Sequence, residues 1–196
     1  MALFVGREIF PGLRDAGEGG SSGTFRVNSV APGPEFQQQT WRLQVDGLVG
    51  TPLDLSWDDF LALPQVELTR DFYCVEGWGV TDVLWRGPLV RTLMERADVD
   101  PSATHLVFHS GDGVYTDSLT VEEALLPDSL LAHEANNEPL PPDNGRPLRL
   151  VRPGSYGYKY VKWVERVEAI AAEDPEPDGY RGYWEMRGYP ADAVIR

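Results

Sequence analysis

Alternation of apolar and polar positions is the first signal along the chain. Trp41-Arg-Leu-Gln-Val-Asp-Gly alternates and ends in a turn residue, which predicts a half-buried strand. Val66 to Tyr73 alternates again and delivers Cys74 at its end. His105 to His109 predicts a strand, Gly111-Asp-Gly a turn, and Val114 to Leu119 the returning strand. Arg146 to Val151 and Val161 to Ala171 are the last predicted strands. Helical spacing is confined to short stretches. Ser56-Trp-Asp-Asp-Phe-Leu-Ala-Leu opens with an N-cap serine and two early acids, and Pro64 stops it. Pro88 to Ala97 places Leu89, Leu93 and Met94 on one face, with Pro88 near the first turn. Thr120 and Glu123 form a capping box for a short helix ending at Pro127. The pattern predicts a mixed, strand-rich α+β fold with short helices.

The punctuation divides the chain in three. Residues 1–23 form an N-terminal extension that includes the Gly/Ser-rich loop at 15–23, residues 24–173 the main domain, and residues 174–196 a C-terminal segment. That last segment carries Tyr180, Tyr183, Trp184 and Tyr189, more aromatics than a solvated tail spends, so it is expected to pack on the domain.

Composition narrows the function classes. A chain of 196 residues, 42% hydrophobic, suits one domain that needs no cross-link to hold its core. Its net charge of −14 repels phosphate backbones and anionic lipid, so neither nucleic acid nor a membrane surface is an expected partner. The acidity fits solubility or high salt, or the docking of a basic partner. The single cysteine rules out an intrachain disulfide. Met1 to Arg14 lacks a long apolar stretch, and no run approaches the roughly 20 residues needed to span a bilayer. A cytoplasmic protein is expected, or an exported one whose signal has been removed.

Two places attract chemistry. Cys74 reads as a small buried hydrophobe, a nucleophile or a soft metal ligand. No CxxC or HExxH motif supports zinc, and His105 and His109 on one strand lie too far apart to chelate one ion. A Cys/His hydrolase needs His105, His109 or His133 beside Cys74, with Asp112 or Asp117 behind it. The second place runs from Leu140 to Trp163 and gathers Arg146, Arg149, Arg152, Lys159 and Lys162 among glycines and prolines. Both lysines of the chain lie here. It reads as a surface patch or as an anion site.

The segments Phe72-Tyr-Cys-Val-Glu-Gly-Trp, Trp85-Arg-Gly-Pro-Leu, and Pro141-Pro-Asp-Asn-Gly-Arg-Pro-Leu-Arg through Lys162-Trp163 resemble the oxidoreductase molybdopterin-binding domain. This is the catalytic domain of sulfite oxidase, plant nitrate reductase and the methionine-sulfoxide reductase catalytic subunit. The likeness covers roughly residues 24–190. It implies a sulfite-oxidase-type fold around a molybdenum-molybdopterin cofactor (Mo-MPT), with residues 24–173 as the cofactor-binding domain and Cys74 as the thiolate on the metal. Cofactor contacts are implied at Asn28 and Ser29, Ser110, Asn144, Arg149, Tyr160, Val161 and Lys162, with Arg149 and Lys162 on the phosphate. Tyr189 is implied as the active-site tyrosine, a hydrogen-bond donor near the metal.

The resemblance further implies an oxotransferase acting on a small substrate. Sulfite oxidase carries arginines after its cysteine, whereas this chain has Val75-Glu-Gly-Trp-Gly-Val, as in the sulfoxide-reductase branch; its arginine before the early asparagine is replaced by Val27. Reduction of a sulfoxide or other oxo compound is therefore expected ahead of sulfite oxidation, for which Arg26, Arg187 and Tyr189 offer partial compensation. A non-catalytic molybdopterin-binding module is a further alternative. With no haem motif in the chain, electrons are expected to pass through a separate carrier, a cytochrome or another.

Overall fold

The computed structural model describes residues 25–171, 182–191 and 193–195. The extension at 1–23 with its whole loop, and Tyr180, lie outside them. Five strands form the main sheet: β1 (Arg42–Gly47), β2 (Leu53–Ser56), β5 (His105–Ser110), β6 (Thr116–Thr120) and β11 (Val164–Ile170), in the order β2-β1-β11-β5-β6. Only the β1–β11 pairing in this sheet is parallel. A second, antiparallel sheet runs β3 (Val66–Cys74), β4 (Trp78–Gly87), β8 (Glu134–Ala135) and β9 (Glu138–Pro139). The pair β7 (Leu130–Ala132) and β10 (Arg149–Val151) lies between the two packing regions.

Two of the helices start at the caps that the sequence predicts. Ser56 caps α1 (Trp57–Leu61) through a reciprocal box with Asp59, and Thr120 caps α3 (Val121–Ala124) through one with Glu123. Helix α2 (Val90–Ala97) buries Val90, Leu93, Met94 and Ala97 on the main core, each larger side chain contributing about 1.5–3 kcal/mol. Its cap is Leu89, so Pro88 precedes the helix instead of entering its first turn.

Three differences from the sequence pattern have local causes. Strand β4 does not show plain alternation because its buried positions Val80 and Val83 are out of step: Asp82 takes φ 55° and the ladder shifts register. Strand β10 begins at Arg149, not Arg146, since Pro147 has no N–H to give a ladder. Strand β11 begins at Val164 because Trp163 turns the backbone to φ 53°. Among the described residues no helix is long and apolar enough to cross a membrane.

Candidate active site

A cleft of about 320 Å³ opens between the two sheets' ends and the C-terminal segment. Cys74 reaches it as the last residue of β3. The turn that follows is closed by the Gly77 N–H donating to the Cys74 carbonyl, and Gly77 takes φ 81°, where a side chain would be strained. Gly157 faces it; a Cβ there would lie 2.3 Å from the Phe72 ring, so the 157–159 turn can approach β3 only without one.

Cys74 is buried, and burial pushes its thiol up; the Glu76 carboxylate adds to this, while the Glu76 N–H, Arg149 and Arg26 pull the other way. Its Sγ sits 3.9 Å from Glu76 Oε2, which also accepts from Asn28 Nδ2 at 2.9 Å and Trp78 Nε1 at 3.2 Å. A soft metal replaces such a thiol proton, because only the thiolate binds it. Among the described residues no three His, Cys, Asp or Glu side chains converge on one point, so there Cys74 is not part of a metal centre built from such side chains alone.

Arg149 stands in the same cleft. It is 5% exposed and, among the described residues, faces no carboxylate: Nη1 donates to the Asn144 carbonyl at 3.2 Å, while Nε is buried with no partner among them. Its guanidinium lies 4.9 Å from the Phe72 ring centroid and within 6 Å of Phe25, Trp85 and Tyr160. Burial lowers its pKa to about 10. An isolated antiparallel bridge pairs Arg149 with Lys162. Lys162 Nζ donates to Ser29 Oγ at 2.5 Å and to the Asp143 carbonyl at 2.8 Å; burial first, and Arg149 second, lower its pKa to about 8. Gly145 lets these two elements meet, since a Cβ there would sit 3.2 Å from that of Arg149. Two cations held together with so little counter-charge make a receptor for an anion.

Of the residues singled out from sequence, Asn28, Ser29, Cys74, Ser110, Asn144, Arg149, Tyr160, Lys162 and Tyr189 all line this one cleft. Tyr160 has a buried hydroxyl with no partner among the described residues. Val161 does not line it. Its side chain is fully buried in the main core, its N–H bonds the Lys159 carbonyl, and its carbonyl accepts from Leu150. The basic cluster divides as well: Arg146 covers the Phe36 ring, Arg152 donates to the Pro153 carbonyl, and Lys159 is paired inside the protein.

The histidines do not reach Cys74. His109 pairs with Glu168 at 3.0 Å, His133 with Gln65 at 3.2 Å, and His105 with Thr104 at 2.9 Å; none lines the cleft, so the Cys/His hydrolase is not assembled. Arg187 lies over the Tyr183 ring, away from the cleft. Sequence reasoning did not single out Tyr115, Tyr158 or Trp184 as cleft residues. The aromatic density of the tail was the signal for Trp184; nothing local marked the other two.

The residues present thus fit a ligand that is soft and metallic at one end, flat in the middle and anionic at the other. The comparisons agree. The chain matches the family described as "Oxidoreductase molybdopterin binding domain" over residues 30–178. It is 36% identical over 167 residues to the uncharacterized oxidoreductase YuiH of Bacillus subtilis (strain 168), covering 85% of this chain and 81% of that protein. It is 35% identical over 184 residues to the protein-methionine-sulfoxide reductase catalytic subunit MsrP of Gluconobacter oxydans (strain 621H), covering 82% of this chain and 59% of the relative. Its fold is similar to the sulfane dehydrogenase SoxCD of Paracoccus pantotrophus, with a TM-score of 0.66 at 28% identity, over 76% of this chain and 46% of that one. This chain belongs to the oxidoreductase molybdopterin-binding domain family, and is an oxidoreductase whose cofactor is molybdenum-molybdopterin.

Proposed function

We propose that the chain reduces a sulfoxide or a related oxo compound, with Cys74 as the protein's ligand to molybdenum and Arg149 and Lys162 as the clamp on the cofactor's phosphate. Asn28, Ser29, Ser110, Asn144 and Tyr160 supply polar groups along the cofactor between these ends. When bound, the cofactor supplies the two-electron oxo transfer. The net reaction breaks the S–O bond of R2SO, reduces sulfur by two electrons taken from a separate carrier, and releases the oxygen as water after two protons are added. The protein's own residues orient and exclude. Aromatic rings of Trp78, Trp184 and Tyr189 line the cleft and limit water, and the Tyr189 hydroxyl is a hydrogen-bond donor available to a substrate oxygen.

The observation that carries the preference is the carboxylate of Glu76 lying 3.9 Å from the Cys74 sulfur. An anion such as sulfite approaching that end meets like charge, whereas a neutral sulfoxide does not. The relative named as a methionine-sulfoxide reductase supports the same choice. Sulfite oxidation is the second reading, because Arg26 also lines the cleft.

The test is a parallel screen with artificial electron carriers on protein expressed in a host that makes the cofactor. Sulfoxide reduction well above sulfite oxidation is expected. The reverse preference overturns the reading. One molybdenum per chain without any oxo transfer points instead to a binding module, and a product free of molybdenum and pterin removes the site assignment altogether.

A further inference from the structure

Outside the cofactor cleft, the most deeply buried charges of the described residues belong to three elements that meet at one point. Lys159 is 4% exposed, Asp117 1% and Glu185 4%. The Lys159 ammonium has three protons, and each finds an acceptor: Asp117 Oδ1 at 2.8 Å, the Ser118 carbonyl at 3.0 Å and Glu185 Oε1. A saturated ammonium has nothing left for a ligand. What the cluster joins is more telling. Asp117 belongs to β6, Lys159 to the 157–159 turn whose Gly157 and Tyr158 line the cleft, and Glu185 to the segment whose Trp184 and Tyr189 also line it.

We infer that Lys159, Asp117 and Glu185 form an ionic latch that positions Trp184 and Tyr189 in the wall of the cleft. The inference rests on reading that cleft as the catalytic site. Glu185 does two jobs: Oε1 takes the ammonium, and Oε2 accepts the Gly182 N–H at 2.7 Å, which fixes the start of the segment. Gly182 passes so close to β6 that a Cβ there would lie 2.7 Å from the Asp117 carboxyl carbon. The Tyr183 N–H donates to the Thr116 carbonyl at 2.9 Å, holding the segment to the β6 edge. From this fixed end the chain makes one tight turn, in which the Tyr189 N–H bonds the Trp184 carbonyl. Tyr158, next to Lys159, then donates its hydroxyl to the Pro190 carbonyl and packs edge-on against Tyr189. Apolar packing alone would leave such a short segment free to slide. A charge that must stay paired to remain buried permits one register. These three are positioning residues: they act through Tyr189 and Trp184.

The test uses the cofactor-loaded protein and Glu185→Gln, which keeps the shape and an acceptor for Gly182. Amides of Tyr183, Met186 and Tyr189 are expected to exchange hydrogen at least about tenfold faster, with β1, β5 and β11 unchanged and molybdenum retained. Turnover is expected to fall about fivefold in the native background, and not to fall further when Tyr189 is already Phe, because the reactive hydroxyl that the latch positions is then absent. Unchanged exchange overturns the latch, as does an equal turnover loss in both backgrounds. If Glu185→Gln yields no folded protein, Glu185→Asp keeps the charge, shortens its reach, and is judged by the same readouts. Altered exchange in a protein whose native form turns over no oxo compound would leave the latch standing and sink the functional reading instead.

Discussion

Two cations ten positions apart in this chain are buried alike and used in opposite ways. Among the described residues, Arg149 is 5% exposed and faces four aromatic rings, one carbonyl and no carboxylate. Lys159 is 4% exposed and sits between two carboxylates. Their protonation reflects this. Burial lowers the pKa of Arg149 with little to offset it. Burial also lowers that of Lys159, but Asp117 and Glu185 more than restore it, for a net rise; Asp117 in turn is pushed up to about 7 by its own burial, against the pull of Lys159. A buried cation with its partners is part of the scaffold. One without them costs stability and persists where an anion from outside completes it.

Breaking the soft end of the cleft gives the largest effect. Cys74→Ser should leave the fold intact and cut turnover by at least about a thousandfold, since a hydroxyl is a poor soft donor; near-normal oxo transfer would refute the metal assignment. The two cations come next. Lys159→Met should destabilise the cofactor-free protein by about 3–5 kcal/mol in urea unfolding, because two carboxylates are left buried without their counter-charge. Arg149→Met should change the same quantity by no more than about 1 kcal/mol while sharply lowering pterin and molybdenum content. Equal destabilisation by both variants would erase the contrast.

Tyr189→Phe tests whether the aromatic wall does more than exclude water. Turnover is expected to drop about tenfold with stability unaltered, and a variant as fast as the native chain would confine Tyr189 to packing. The smallest effect sharpens the anion site. The Lys162 ammonium is held at about 8, so it is charged below that pH and neutral above. Affinity for the cofactor's phosphate should therefore weaken about fourfold between pH 7 and 8.5, and Lys162→Arg should flatten that slope. A pH-independent affinity in the native chain would mean that Lys162 is not the titrating contact.

How much of this was legible beforehand follows the range of the interactions. The caps at Ser56 and Thr120, the strand that delivers Cys74, and the β5–β6 hairpin are set by neighbours a few positions apart, so the pattern exposes them. Strand β7 is buried on both faces and β4 changes phase at Asp82, so neither shows the simple period. The motif around Cys74 and the Asn144-to-Arg149 spacing likewise sit in continuous segments, and the family resemblance could be carried by them.

The sequence by itself determined the locally encoded elements, the lone thiol, and the crowding of cations between Arg146 and Lys162. It did not distinguish those cations from one another, because all five share a segment and a charge. Only the tertiary structure sorted them. It brought Asp117 and Glu185 to Lys159 across separations of 42 and 26 positions, and brought no carboxylate of the described residues to Arg149. It also moved Val161 into the core while its neighbours Tyr160 and Lys162 turned to the cleft. Whether a buried charge becomes scaffold or receptor is decided by which counter-charge the fold delivers to it, and that depends on long-range packing that no local pattern encodes.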